Sequence, residues 1–431
     1  MSASAARLPL ASVFIGNIGN VLEWYDFVVF AFLAPVIGAR FFPAEDPLSA
    51  LIQAFAVFAV GYLMRPIGGV LFGHLGDRLG RKRALQLSMV VMAVPTALMA
   101  VLPTHAEAGA LAPVLLVLLR LCQGLSVGGE VAGSICYLVE AAPPHRRAFV
   151  GSLTILGIAA GVLLASAVVG LLWLALAPAE VHAWGWRLPF LGGLVIGTVG
   201  WWVRRGLEET AAFRKLAEAG RLARVPVIAV VRDYWPRLLQ VFGANILVAV
   251  GFYTLFTWMP TYLAHIVQPP VVRADLISTA ATVLVGLAIP LAGWTADRVG
   301  YRRVLLSADL LYAALVVPAF QAIDRGAVGS AAAAILSLSV VHAFSNGPIP
   351  ALLTDLLPTQ LRYTGIALGY NLAFALFGGT APLVATWLIK TTNDLAAPAW
   401  YIVAAALVSF LVTFSATQPA ARAPSAERVR S

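Results

Sequence analysis

The chain has 431 residues, of which 60% are hydrophobic and only 11% charged, with a formal net charge of +9. A soluble domain carries about a quarter charged residues and needs them on its surface even when its core is large, so that class is excluded. The positive balance does not indicate nucleic acid either, because the Lys and Arg residues fall in short loops and not on one folded face.

Runs of about twenty apolar residues, the length that crosses a bilayer core, follow one another along the chain. They predict an all-α membrane protein with twelve spans, at about 10–38, 48–75, 84–103, 111–139, 148–176, 187–204, 237–265, 275–297, 303–323, 328–355, 362–390 and 398–416. These are helices 1 to 12 below. The apolar stretch after Arg7 runs on into a full-length span, so it reads as a retained first helix and not a cleaved signal.

Helix 1 carries Glu23 and Asp26 in GNVLEWYDF, with Trp24 and Tyr25 between them. Three residues apart on a helix, the two carboxylates share a face. An ion in hydrocarbon is costly unless paired or solvated, and two neighbouring carboxylates repel when both are ionised, a setting suited to carrying a proton. The alternative is that each is permanently paired with Arg65 or Arg120 and only locks the bundle. Arg65 lies in helix 2 in GYLMRPIGG, just before Pro66, which frees a mid-helix carbonyl. It can pair with helix 1 or with Glu130.

Between helices 2 and 3 stands GHLGDRLGRKR, Gly73 to Arg83, and between helices 8 and 9 stands GWTADRVGYRR, Gly293 to Arg303. In each, a Gly precedes an Asp-Arg pair by four residues, and a second Gly and a basic pair follow. The two copies begin 220 residues apart, which indicates a duplicated half. The turn residues singled out are Gly73, Asp77, Arg78, Gly80 and Arg81 in the first copy, and Asp297 and Arg298 in the second. A carboxylate at such a helix end can meet the positive amino-terminal end of a neighbouring helix.

Helix 4 contains RLCQGLSVGGEVAGS, with Arg120 as a planar cation matched to a carboxylate, and Glu130 further along. Gly124, Gly128, Gly129 and Gly133 strip side chains from much of this helix, which permits close packing or sliding. Cys122 and Cys136 are separated by roughly 21 Å of helix, beyond disulfide reach, and read as packing residues. Helix 4 ends in Glu140, Pro143-Pro144 and Arg146-Arg147, and helix 10 ends likewise in Asp355, Pro358 and Arg362.

The segment 204–237 has charges of both signs and reads either as an amphipathic helix on the inner leaflet or as a solvated linker. The second half is poorer in charge. Its candidate residues are Asn245, Tyr253 and Trp258 in helix 7, His342 and Asn346 in helix 10, and Tyr370 and Asn371 in helix 11. His342 reads as a packing or hydrogen-bonding residue, and Asp309 as close enough to the end of helix 9 to reach water. The even-numbered turns hold most of the Arg and Lys residues, which by the positive-inside rule puts both termini in the cytoplasm.

The repeated turn resembles the G-x-x-x-D-R-x-G-R-[RK]-[RK] signature of the major facilitator superfamily. GNVLEWYDF, FAVGYLMRPIGGVLFGHLGDRLGRKR, RLCQGLSVGGE, WGWRLPF with RRGLEETAAF, and ALFGGTAPLVATWL resemble its metabolite:proton symporter branch. That resemblance implies two pseudo-symmetric six-helix bundles, residues 1–204 and 237–417, joined by a cytoplasmic linker 205–236 and followed by a tail 418–431. It also implies a latch at the repeated turn, though the second copy departs from the signature at Trp294, Thr295 and Tyr301. Carriers of the branch take citrate, 2-oxoglutarate, shikimate, or proline and betaine, each with a proton. The tail here is short, whereas the branch's osmolality-sensing osmolyte carriers end in a long coiled coil, which puts an organic acid first and a zwitterionic osmolyte second.

The expected protein is a monomeric inner-membrane symporter that moves a small molecule with H+ by alternating access. Its expected proton-coupling residues are Glu23, Asp26 and Glu130. The expected substrate contacts are Arg120, Arg65, Tyr25, Asn245, Tyr253, Asn346, Tyr370 and Asn371. No cofactor, metal or nucleic acid is expected, and the lipid bilayer is the partner. A membrane enzyme would require a metal cluster or a nucleophile with its base, and the sequence shows neither; a transport-inactive receptor on the same fold would differ by showing no counterflow.

Overall fold

The computed structural model describes residues 10–42, 47–206, 208–223, 225–267, 270–324 and 327–416. The expected tail 418–431 lies outside them. Helices occupy all twelve predicted spans, and there is no strand among the described residues. Nine described helices are long and apolar enough to cross a membrane, and a tenth span is the pair Asn17–Phe32 and Ala34–Phe41, bent by 64°. Pro47–Arg78 and Leu188–Arg204, the latter only 17 residues long, supply the remaining two. Large apolar side chains such as Leu63, Leu174, Leu287 and Leu383 stand exposed on these helices. In water this would be a liability; in a bilayer it is the lipid face.

The described helices fall into two compact units. Among the described residues, one holds those up to Tyr137 together with Gly157–Leu222, and the other holds Leu138–Leu156 and those from Ala223 to Ala416. The end of helix 4 and the start of helix 5 therefore pack with helices 7 to 12, although the sequence places them in the first bundle. Ion pairs are the reason. Arg362 Nη1 donates to Glu140 Oε1 at 2.9 Å, and Arg147 Nη1 donates to Asp355 Oδ1 at 2.8 Å. The Tyr301 hydroxyl donates to the other Asp355 oxygen at 2.8 Å. Beneath these bonds Ala148, Ala296, Val304 and Ala351 form a small apolar cluster.

In the first unit the glycines of helix 4 serve close approach. A Cβ on Gly128 would collide with backbone atoms of Arg65, Gly68 and Gly69 in helix 2. Lipid tails are as apolar as Leu, so packing contacts of this kind hold membrane helices together. The apolar core of that unit gathers Tyr25, Phe30, Phe41, Trp186 and Phe190, with the Phe41 and Trp186 rings edge to face at 5.6 Å. The second unit centres on Tyr262, Tyr312, Phe320 and Leu338.

The repeated turn has a backbone reason for its second glycine. Gly80 has φ +105° and caps the start of the helix that follows, and Gly300 has φ +101° and caps the end of the helix that precedes it. A side chain there is strained by about 1–3 kcal/mol. At Gly300 a Cβ would meet open space, whereas at Gly80 it would also strike Glu209. Gly300→Ala is therefore expected to lower thermal stability by the backbone cost alone, and Gly80→Ala by more. Melting curves of the two variants in detergent check this, and equal losses would remove the Glu209 contact from the account.

Segment 204–237 contains two short helices, each with its own dock. Ala211–Glu218 is capped by the Thr210 side chain, which accepts from the Phe213 amide. Phe213 is buried with the Arg81 guanidinium over its ring at 5.2 Å, and Glu209 accepts from the Lys82 amide at 3.2 Å. Pro226–Asp233 instead buries Val230 with Ala223 and Leu361 in the second unit.

Candidate functional site

In the first unit, helix 1 supplies a ladder of buried polar side chains. Asn20 donates to Asn17 at 2.9 Å and to Ser134 at 2.7 Å. Glu23 and Asp26 follow on the same face, 2% and 1% exposed. Neither carboxylate has a Lys, Arg or His nitrogen within ion-pair distance among the described residues, so permanent pairing with Arg65 or Arg120 is not what is seen. Glu23 has no hydrogen-bond partner for either oxygen among the described residues.

Asp26 is tied to Arg120 through two intermediaries. The Thr96 hydroxyl donates to Asp26 Oδ2 at 2.7 Å. Gln123 Nε2 donates to the Thr96 oxygen at 2.8 Å, and Gln123 Oε1 accepts from Arg120 Nη1 at 2.9 Å. The row Asp26–Thr96–Gln123–Arg120 thus crosses helices 1, 3 and 4 in unbroken hydrogen bonds. Arg120 is fully buried, with its guanidinium over the rings of Phe30 at 4.0 Å and Phe27 at 4.7 Å. Aromatic faces hold a desolvated guanidinium without neutralising it.

Glu130 is held differently. Arg204 grips it with both terminal nitrogens, Nη1 at 3.0 Å from Oε2 and Nη2 at Oε1. The Ser88 hydroxyl adds a bond to Oε2 at 2.6 Å. Arg204, expected from sequence to open the basic linker, is fully buried instead. Tyr25, expected to face substrate, is also fully buried, and its hydroxyl donates to the Pro189 carbonyl at 2.8 Å.

In the second unit the polar candidates lie on irregular helix. Asn245 stands at a break between Trp235–Ala244 and Ile246–Phe252, and its amide donates to the Val241 carbonyl at 2.7 Å. π-helical turns follow at Tyr253–Trp258 and Tyr262–Ile266 in helix 7, and at Phe374–Gly378 in helix 11. Wide turns of this kind gather at functional sites. They bring aromatic rings together: Tyr370 stacks on Phe374 at 4.2 Å, Tyr253 meets Phe374 edge-on at 6.3 Å, and Phe256 meets His342 at 5.6 Å.

Trp258 Nε1 donates to Thr386 at 3.0 Å, and Asn371 donates to the Ala367 carbonyl at 2.7 Å. Asn346 is buried at 5% exposure. His342 and the Tyr312 hydroxyl are fully buried, and neither ring nitrogen nor the hydroxyl has a hydrogen bond among the described residues. Asp309 does not reach water as expected; it is 3% exposed. One turn of helix 9 separates it from Tyr312, which turns it into the bundle and not toward the helix end.

The two repeated turns do different work. Asp77 pairs with Arg81 at 3.0 Å within its own turn, and Arg81 also donates to the Gly76 carbonyl at 2.7 Å. Asp297 reaches the start of helix 5, where it accepts from the Ala148 and Phe149 amides, each at 2.8 Å. Those amides are unpaired within their own helix and carry its positive dipole end. Arg298 lies over Trp294 at 3.6 Å, and Tyr301 takes the Asp355 bond. Two of the three departures from the signature in the second copy, Trp294 and Tyr301, are thus in use. Arg78 and Gly73 remain at the end of helix 2 beside this turn.

Sequence reasoning missed Thr96, Ser88, Gln123, Arg204, Tyr312 and Phe374. Gln123 was within reach, three residues after Arg120 and on its face of the helix. Thr96 and Ser88 carry no sequence signal that sets them apart from other helix hydroxyls.

Known families match both halves of the chain. Residues 12–224 match the family described as Sugar (and other) transporter, and residues 241–430 match the Major Facilitator Superfamily. The proline/betaine transporter of Salmonella typhimurium strain LT2 is 34% identical over 415 residues, 94% of this chain and 83% of that protein. The glycine betaine/proline/ectoine/pipecolic acid transporter of Dickeya dadantii is 35% identical over 403 residues, 91% and 80% of the two chains. Among solved structures, a proton:xylose symporter (XylE) bound to a bromo-deoxyglucose superposes with a TM-score of 0.80 at 17% identity, covering 95% and 96% of the two chains. The transporter FucP in its outward conformation gives 0.67 at 15% identity, covering 94% and 100%. At such identities the structures speak for the fold alone.

Proposed function

The chain belongs to the major facilitator superfamily, and within it we propose a proton-coupled symporter for a small zwitterion such as proline or betaine. It is a multi-pass membrane transporter and not an enzyme; the proposed setting is a bacterial inner membrane with both termini cytoplasmic. The organic acid that the sequence put first yields to the zwitterion. The likeness to proline/betaine transporters, 34% identity over 94% of this chain, supports the zwitterion.

The buried charges support the same choice. Among the described residues every fully buried Arg lies in the first unit, and the second offers aromatic rings, amides, His342 and one acid, Asp309. Citrate, with three carboxylates, calls for several cations. A zwitterion needs one cation for its carboxylate and an aromatic face for its cationic nitrogen.

The observation that carries the coupling is the hydrogen-bonded row from Asp26 to Arg120. A substrate carboxylate that binds Arg120 competes with Gln123 for its donors. Gln123 then releases Thr96, and Thr96 its bond to Asp26, so anion binding at one end changes the protonation of the carboxylate at the other. Alternating access moves both together.

In proteoliposomes with an imposed inward proton gradient, labelled betaine or proline is expected to accumulate, the protonophore-treated control to equilibrate, and excess citrate not to compete. Accumulation of citrate in place of betaine and proline overturns the substrate assignment. Equal accumulation with and without the protonophore overturns the coupling.

A further inference from the structure

The second unit contains a groove of about 390 Å³ bounded by helices 8, 9 and 10. Its walls are apolar, from Val304, Ala308, Leu311, Val341 and Phe344, and its one charged residue is Arg303. Arg303, Ser307 and Leu311 are spaced by four along helix 9 and form one row. The row runs from a cation through a hydroxyl to hydrocarbon over roughly 12 Å. This is the polarity gradient of an amphiphile, with its head at the loop end of the helix and its tail toward the middle.

The acids around this end are already engaged. Asp297 accepts from the start of helix 5, and Asp355 is shared by Arg147 and Tyr301. The neighbouring cations are engaged too: Arg302 donates to the Phe414 carbonyl, and Arg298 lies on Trp294. The Arg303 guanidinium has no hydrogen bond or ion pair among the described residues. A groove that is apolar along its length and cationic at one end, in a protein surrounded by lipid, complements one hydrocarbon chain with an anionic head.

We propose that this groove is a binding site for an anionic phospholipid, its phosphate on Arg303 and one acyl chain along helices 8, 9 and 10. The bound chain braces the hairpin of helices 8 and 9, whose Asp297 holds the start of helix 5. The site is separate from the row that joins Asp26 to Arg120 and does not depend on which substrate is carried.

The test is titration of the full-length protein in detergent with phosphatidylglycerol and phosphatidylcholine of identical acyl chains, with bound lipids counted by native mass spectrometry. One phosphatidylglycerol is expected to bind about fivefold more tightly than phosphatidylcholine, the value of one Arg against an anionic head. Arg303→Gln is expected to abolish that preference, and Arg303→Lys to retain it. Ala308→Trp, which fills the groove, is expected to remove the tight site for both lipids. Equal binding of the two lipids by the unaltered protein, or a preference unchanged in Arg303→Gln, overturns the proposal. Displacement of phosphatidylglycerol by inorganic phosphate alone would show a simple anion site and overturns the acyl-chain assignment.

Discussion

Asp26→Asn is expected to abolish uphill accumulation while leaving exchange of substrate across the membrane within a few-fold of the unaltered protein. Asn keeps the volume of the carboxyl and can still bond to Thr96, so the packing of helix 1 against helix 3 survives. What it cannot do is gain and lose a proton. A carrier moving one proton per substrate reaches about a hundredfold accumulation on a gradient of about two pH units. Without the titrating group the same carrier runs only to equilibrium.

Thr96→Val should show the intermediate case, because it removes the hydroxyl between Asp26 and Gln123 but keeps the carboxylate. Accumulation should fall, and the apparent affinity should lose part of its dependence on external pH. Initial uptake and counterflow in proteoliposomes separate the two outcomes. If Glu23→Gln uncouples transport and Asp26→Asn does not, the proton sits on the carboxylate outside the row, and the route through Thr96 and Gln123 is wrong.

The second large effect is on stability. Arg204→Met is expected to destabilise the protein by about 3–5 kcal/mol, because it strands a carboxylate that is buried with its partner removed. Both side chains are essentially inaccessible, 0% and 3% exposed, so solvent screening does not reduce the figure. The double variant Glu130→Met with Arg204→Met should recover most of the loss, since a buried ion pair replaced by apolar side chains of similar size is often neutral. Thermal unfolding of the two variants against the parent measures both effects. A single variant as stable as the parent would mean that the pair is not held as described. Glu130, expected from sequence among the proton carriers, has the fuller set of partners of the three acids, and this pairing is its proposed role.

Composition and the length of the apolar runs were enough for twelve spans, because a bilayer forces every backbone polar group to be satisfied within its own helix. The two glycine turns and the buried charges Glu23, Asp26, Arg65 and Arg120 were equally plain. They break a pattern whose cost in hydrocarbon is high.

Partnership was not readable. Glu130 and Arg204 are 74 residues apart, and Arg204 sits beside Arg205 at a helix end where a solvated linker is the natural reading. Distance along helix 9 alone puts Asp309 within reach of water, but which face of a helix turns inward is set by its neighbours. The sequence alone thus determined the number of helices, the repeat and the ions kept in the membrane, all properties of single segments in a bilayer. Only the tertiary structure decided which ion meets which, because a hydrogen bond depends on the relative rotation of helices that are far apart along the chain.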